Sequence, residues 1–174
     1  MNEAETYLVE TIKSFRGLKS NATKAIEQIT DEELHYRPDP ESNTVSIIIH
    51  HMAGNMLSRF TEFLTTDGEK EWRKRDEEFE NTFYSRDDLI KLWDKGWDCL
   101  LKTLESLTVD DLTKKVFIRG ESHTVIRALL RQLAHYAYHT GQIVYICKHL
   151  RSKEFKSLSI PRGQSGNYIP EKRS

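Results

Sequence analysis

Apolar residues recur at spacings of three and four along four long stretches of this chain, and the stretches are separated by clusters of Pro, Gly, Asp, Asn and Ser. That period places each apolar set on one face of a helix, so four amphipathic helices must find one another to cover those faces. The first runs from about Glu3 to Ile29, with Tyr7, Leu8, Ile12, Phe15, Leu18, Ala22, Ala25 and Ile29 as its stripe. Thr30-Asp-Glu-Glu33 reads as a capping box for a single turn, which ends near Arg37-Pro38-Asp39-Pro40 because a residue before proline is pushed out of the helical region. The second helix is capped by Asn43 or Thr44 and continues through Ile48, Ile49, Met52, Met56, Phe60 and Phe63 to about Thr65. After a break at Thr66-Asp67-Gly68, residues Glu69 to Asn81 are too polar to bury a face and read as a long crossover packed only through Trp72 and Phe79.

Ser85 caps the third helix, where Asp87 and Asp88 favour the positive end of the macrodipole and Leu89, Ile90, Trp93, Trp97, Leu100, Leu101 and Leu104 form the core stripe. A capped turn at Thr108 to Asp111 precedes Lys115 to Gly120, the one extended stretch expected. The fourth helix runs from about Thr124 to Leu150, and its apolar positions cover more than one face. The expectation is an all-α fold, a four-helix bundle with a long crossover between helices two and three. One domain spans residues 1–174, with a tail after about Lys153 that is mobile unless something captures it.

Composition narrows the function classes. With 26 Lys+Arg against 27 Asp+Glu the formal charge is −1, which argues against a nucleic-acid or anionic-membrane partner. The basic spots Arg73 to Arg75 and Lys148 to Lys153 read as solvated surface. Cys99 and Cys147 lack metal-type spacing, the first residues carry no apolar leader, and no apolar run approaches the roughly 20 residues that cross a bilayer. A cytoplasmic protein with reduced thiols is expected.

The chemistry lies in the histidines. His135 and His139 are four apart within the fourth helix, so both imidazoles share a face. Two buried imidazoles on one face need a shared partner, and a divalent ion such as zinc, nickel or iron supplies one. Gln142 lies on the same face and could hydrogen-bond a ligand histidine. Gly141, costly within a helix, suggests a close neighbour at that backbone. The third ligand comes from His50-His51: periodicity places His50 nearer the apolar stripe, whereas His51 shares a face with Gly54, Asn55 and Ser58, and the residues alone leave both open. His35, His123 and His149 read as surface or capping residues. Glu32-Glu-Leu-His35 is a lone Glu-x-x-His, too little for a di-iron centre, and Tyr136 stands where a zincin helix needs glutamate.

The run from Tyr36 through His50-His51 to Asn55, together with His135-x-x-x-His139-x-Gly141-Gln142, resembles the DinB/YfiT-like superfamily of metal-binding four-helix bundles. Met52 to Phe79 resembles its DUF1572-like branch. The resemblance implies that the second histidine of the upstream pair is a ligand, giving His51, His135 and His139 as the metal set. It also implies kinship with bacillithiol-, mycothiol- and glutathione-dependent transferases and isomerases, in which the metal activates a thiol cosubstrate. The expected function is therefore a metal-dependent thiol S-transferase acting on a small electrophile with a bacillithiol-like thiol. Asn55, Arg59 and Tyr138 are the polar candidates for orienting substrate. A metal-dependent hydrolase and a non-enzymatic, stress-associated metal-binding bundle are the rival readings. Excess apolar surface on the helices suggests a homodimer.

Overall fold

The computed structural model describes residues 1–80 and 84–167, so Asn81 of the expected crossover and the last part of the tail lie outside the described residues. The fold is mostly helical, with five α-helices and a two-stranded sheet. In chain order these are α1 (Glu3–Ile26), α2 (Asp31–Leu34), α3 (Val45–Phe60), α4 (Arg86–Ser106), β1 (Lys115–Ile118), β2 (Glu121–Thr124) and α5 (Val125–Arg151). No helix among the described residues is long and apolar enough to cross a membrane.

Each helix starts where a side chain can satisfy a free backbone donor. Asn2 and Glu5 form a reciprocal capping box on α1, and Thr30 and Glu33 do the same on α2. The hydroxyls of Thr44, Ser85 and Thr124 accept from Ile47, Asp88 and Arg127 at the heads of α3, α4 and α5. Between the four long helices, α3 packs chiefly on α4 and α1 chiefly on α5, with further contacts joining α1 to α4 and α3 to α5. Phe15, Met52, Met56, Trp93, Trp97 and Tyr136 are fully buried between them. The Trp97 and Tyr136 rings meet edge to face at 6.0 Å, and Trp93 donates from its indole to Thr23 at 3.1 Å.

Three details depart from the sequence reading. First, α3 stops at Phe60, not near Thr65. Glu62 takes φ 50°, and the chain turns so that Gly68 donates its N–H to Phe117 of β1 at 2.7 Å. The turn is held from the helix as well, because Ser58 donates to the Gly68 carbonyl at 2.7 Å. Second, the extended stretch is one arm of a hairpin. Arg119 and Gly120 both adopt positive φ, 55° and 74°, the pattern of a type I′ turn, and Asp67 accepts from both of their N–H groups at 2.9 and 2.7 Å. Val116 and Ile118 point inward, while Phe117 faces out. Third, the crossover does not pack through Trp72, which is 57% exposed; its buried residues are Arg73 and Glu78. Arg73 is therefore not the solvated surface that its charge suggested. The beginning of the tail is held by Gln28, which donates to the Lys156 carbonyl and accepts from its N–H, while Phe155 and Leu158 pack on the core.

Two glycines report on helix spacing. A β-carbon at Gly96 of α4 would sit 2.9 Å from Ala53 Cα on α3, so only glycine permits this approach. Gly141, expected to sit against a neighbour, meets nothing within 4 Å; it is exposed on α5 and no close packing explains it. Opposite effects on stability follow. Gly96→Ala is expected to lower the unfolding free energy by about 1–2 kcal/mol, overpacking outweighing the gain in helix propensity. Gly141→Ala is expected to raise it by up to about 1 kcal/mol. Urea titrations of both variants check the pair.

Candidate metal centre

Helix α5 carries His135 and His139 one turn apart, and α3 brings His51 against them. The ring centroids are 4.7 Å apart for His135 and His139, 5.3 Å for His51 and His135, and 5.0 Å for His51 and His139. His51 and His139 are buried and His135 is half-buried. The rings turn the same atom inward: His135 Nε2 lies 3.3 Å from His51 Nε2 and 3.0 Å from His139 Nε2. His50, the alternative third ligand, faces Tyr84 instead, with ring centroids 5.0 Å apart.

The outer ring nitrogens determine what the inner ones are. His51 Nδ1 lies 2.9 Å from Glu78 Oε2. A carboxylate can only accept, so this nitrogen carries the proton and leaves Nε2 of the neutral ring as a bare lone pair. His139 Nδ1 lies 2.8 Å from the side-chain oxygen of Gln142, which imposes the same tautomer. Only His135 could then place a proton between the three inner nitrogens, and it cannot satisfy both neighbours. Three converging donors with at most one proton call for a cation. The spacing suits one: a tetrahedral site with metal–nitrogen distances of ~2.05 Å has nitrogens ~3.3 Å apart. The three histidines lie close enough to hold a metal ion.

The surrounding electrostatics favour neutral rings at His135 and His139. Burial, reinforced by the neighbouring His139 and His51, pushes His135 down from 6.5 to about 3. Burial also lowers His139, against the opposing hydrogen bond it donates to Gln142. Glu78 is pulled the other way. Burial alone would raise its carboxyl, but the bonds from His51 and Arg73 outweigh it and hold the group below the usual carboxylate range. Arg73 grips Glu78 through Nε at 2.7 Å and Nη2 at 2.8 Å, a two-point contact. A β-carbon at Gly54 would collide with Glu78 Oε1, so the glycine one turn beyond His50 makes room for this carboxylate. Phe79 closes the same side, its ring 4.8 Å from that of His51.

The other candidates separate by role. Asn55 is buried and accepts a 2.9 Å hydrogen bond from the Tyr136 hydroxyl, tying α3 to α5 at the edge of the site. Arg59 is buried too, donating to the Gly68 carbonyl and to Glu69. Its charge is engaged in holding the loop after α3. Tyr138 is 63% exposed, accepts from Gln142 at 3.2 Å and meets the His139 ring edge to face at 5.0 Å, but it does not line the cavity. Of the remaining histidines, His149 is exposed and stacks on Tyr145, His35 lies 3.0 Å from the Tyr84 carbonyl, and His123 is part-buried on β2. Beside the cluster opens a cavity of about 260 Å³, lined by His51, His135, Asn55, Gln132 and several arginines.

Sequence reasoning missed Glu78, Arg73 and Gln132. Glu78 stands in a run of acids and its partner is 27 residues away, so no spacing rule connects them. Gln132, one turn before His135 on α5, carried a detectable signal: a polar residue on the face that also bears Tyr136 and His139.

Two measurements test the centre. Glu78→Gln keeps the shape but removes the anion that orients His51, and metal affinity in a chelator competition is expected to fall about 10–100-fold. The metal-free protein should also be acid-sensitive. His135 ionises in the folded state only near 3 but near 6.5 when unfolded, so the unfolded chain binds the extra proton between these values. Its contribution is complete above 6.5 and diminishes as pH falls toward 3. Melting curves of the metal-free protein should therefore shift downward across that window.

A comparison with curated proteins gives no match. Residues 2–164 match the sequence profile of the family described as protein of unknown function, DUF1572. With nearly its whole length inside that match, and the histidine cluster within it, the chain belongs to the DUF1572 family.

Proposed function

We propose that this chain is a DinB-like four-helix bundle, with the stretch between α3 and α4 as its crossover, and that His51, His135 and His139 hold a divalent transition-metal ion for thiol chemistry. The convergence of three imidazole Nε2 atoms beside an open cavity carries the reading. Three protein donors leave coordination positions for a reactant, the pattern of a reactive rather than a structural site. An ion held there would lower the pKa of a low-molecular-weight thiol such as bacillithiol, favouring the thiolate at neutral pH.

The protein's own groups do the rest. Glu78 and Gln142 keep the Nδ1 protons of His51 and His139 directed outward, so both rings stay donors toward the cavity. Tyr136, buried and with its phenol pushed up by burial, remains a donor and fixes the Asn55 amide at the cavity wall. The incoming sulfur bonds to the electrophilic carbon, the leaving group departs with its electron pair, and the thiol proton passes to solvent.

In the proposed assembly a second copy covers Leu130, Tyr138 and Tyr145, which lie exposed on one side of α5. The cytoplasm, where thiols stay reduced, is the proposed location.

The deciding experiment begins with elemental analysis of untagged protein, expected to find close to one divalent ion per chain. Metal-loaded protein with bacillithiol and 1-chloro-2,4-dinitrobenzene should then turn over at least ~100-fold faster than His139→Ala. Equal rates would remove the transferase reading. Ester hydrolysis without added thiol would favour the hydrolase.

A further inference from the structure

The cavity beside the histidine cluster is lined by five arginines, Arg59, Arg73, Arg75, Arg119 and Arg131, together with Gln132. Their carboxylate partners are too few. Arg59 and Arg119 share the single carboxylate of Glu69, at 3.1 and 2.9 Å. Arg73 is matched by Glu78, which also serves His51. Arg75 lies over the Phe79 ring and, among the described residues, meets one carboxylate, that of Asp76 at 3.6 Å, which is almost wholly in solvent. Arg131, on the first turn before His135, pairs with no carboxylate among the described residues. Among the described residues, no acidic side chain lines the cavity. A protein whose total charge is −1 has therefore collected a positive wall at one place that its carboxylate partners only partly compensate.

Gln132 supplies an independent observation. It is 3% exposed, it lines the cavity, and its side-chain oxygen meets no hydrogen-bond donor among the described residues. A buried acceptor left without a donor is disfavoured by roughly 1–3 kcal/mol, so a ligand N–H or O–H that reaches it from the cavity would be favoured. The volume, about 260 Å³, suits a small molecule rather than a peptide or a nucleotide chain.

We propose that this cavity is an anion-binding subsite: it takes a small molecule bearing a carboxylate or phosphate group, held by Arg131 with Arg75 and Arg119 around it, and a neighbouring N–H or O–H that donates to Gln132. The proposal rests on the reading above for its link to metal chemistry, since it describes what the reactant carries besides the atom that reaches the histidines. Arg59 and Arg73, buried and already bonded, position the wall. Arg131 supplies the unmatched charge. Gln132 distinguishes anions with a donor close to the charged group from those without one.

Calorimetric titration tests this in the protein as purified and again after metal removal, with succinate, malate, inorganic phosphate and the neutral diamide succinamide as probes. Malate is expected to bind one per chain, tighter than succinate, with affinity falling as sodium chloride is raised. Phosphate binding at the same stoichiometry would place phosphates in the ligand class, and its failure would restrict the class to carboxylates. Arg131→Gln, an exposed position that should fold normally, is expected to weaken each bound anion about tenfold. Gln132→Leu, which removes an unsatisfied buried atom, should abolish the preference for malate over succinate. If succinamide binds as well as the anions, or Arg131→Gln changes nothing, the proposal is overturned. Because the metal-free arm needs neither thiol nor ion, anion binding there would stand even if no metal were found. Metal-dependent thiol turnover without anion binding would overturn the subsite alone.

Discussion

The buried carboxylate of Glu78 is the contact on which the site depends. It accepts from His51 on one side and from both arms of the Arg73 fork on the other, and all three side chains are nearly sealed from water. Removing a carboxylate from water is expensive and is offset only when its lone pairs are well matched with charged donors. Here they are. The same contact fixes the tautomer of His51, docks the polar stretch after α3, which has little apolar surface of its own, and explains why glycine occupies position 54. Loss of either partner would strand a buried charge, so that stretch and the histidine cluster form one unit.

Helix packing brings the two halves of the cluster together. Gly96 lets α4 lie directly against Ala53 of α3, and the bond from Tyr136 to Asn55 links α3 to α5 close to the histidines. Ring edges from Trp97 and Phe15 on Tyr136 hold that residue in place. The imidazoles thus project from helices whose relative position is set by bulky buried rings and one close backbone approach. Preorganised rings lose little freedom when an ion binds, which favours a defined coordination geometry.

The hairpin and the loop after α3 build the opposite wall. Asp67 clamps the Arg119-Gly120 turn, Ser58 and Arg59 hold Gly68, and Glu69 bridges Arg59 to Arg119. Val116 and Ile118 seat the hairpin on the core, and these polar bonds then place Arg119 over the cavity. This is why α3 ends early: a helix continued to Thr65 would carry the chain away from β1.

Local sequence is enough to place the starts of the helices, the residues of the core stripes, and two histidines on one face of the last helix. Those features depend on neighbours within a turn or two, where the 3.6-residue period and capping chemistry act. The Thr30 box, the Thr44 and Ser85 caps and the start of α5 at Thr124 are of this kind. Whether His50 or His51 faces His135 is open from periodicity alone, because adjacent residues on α3 both border apolar neighbours and only the roll of the helix against α4 and α5 separates them. Trp72 was misjudged by its apolar bulk, and Arg73 and Glu78 by their charge. Only the tertiary structure could reverse those assignments, since a buried charge is tolerated through a partner that lies far along the chain and is brought near solely by folding.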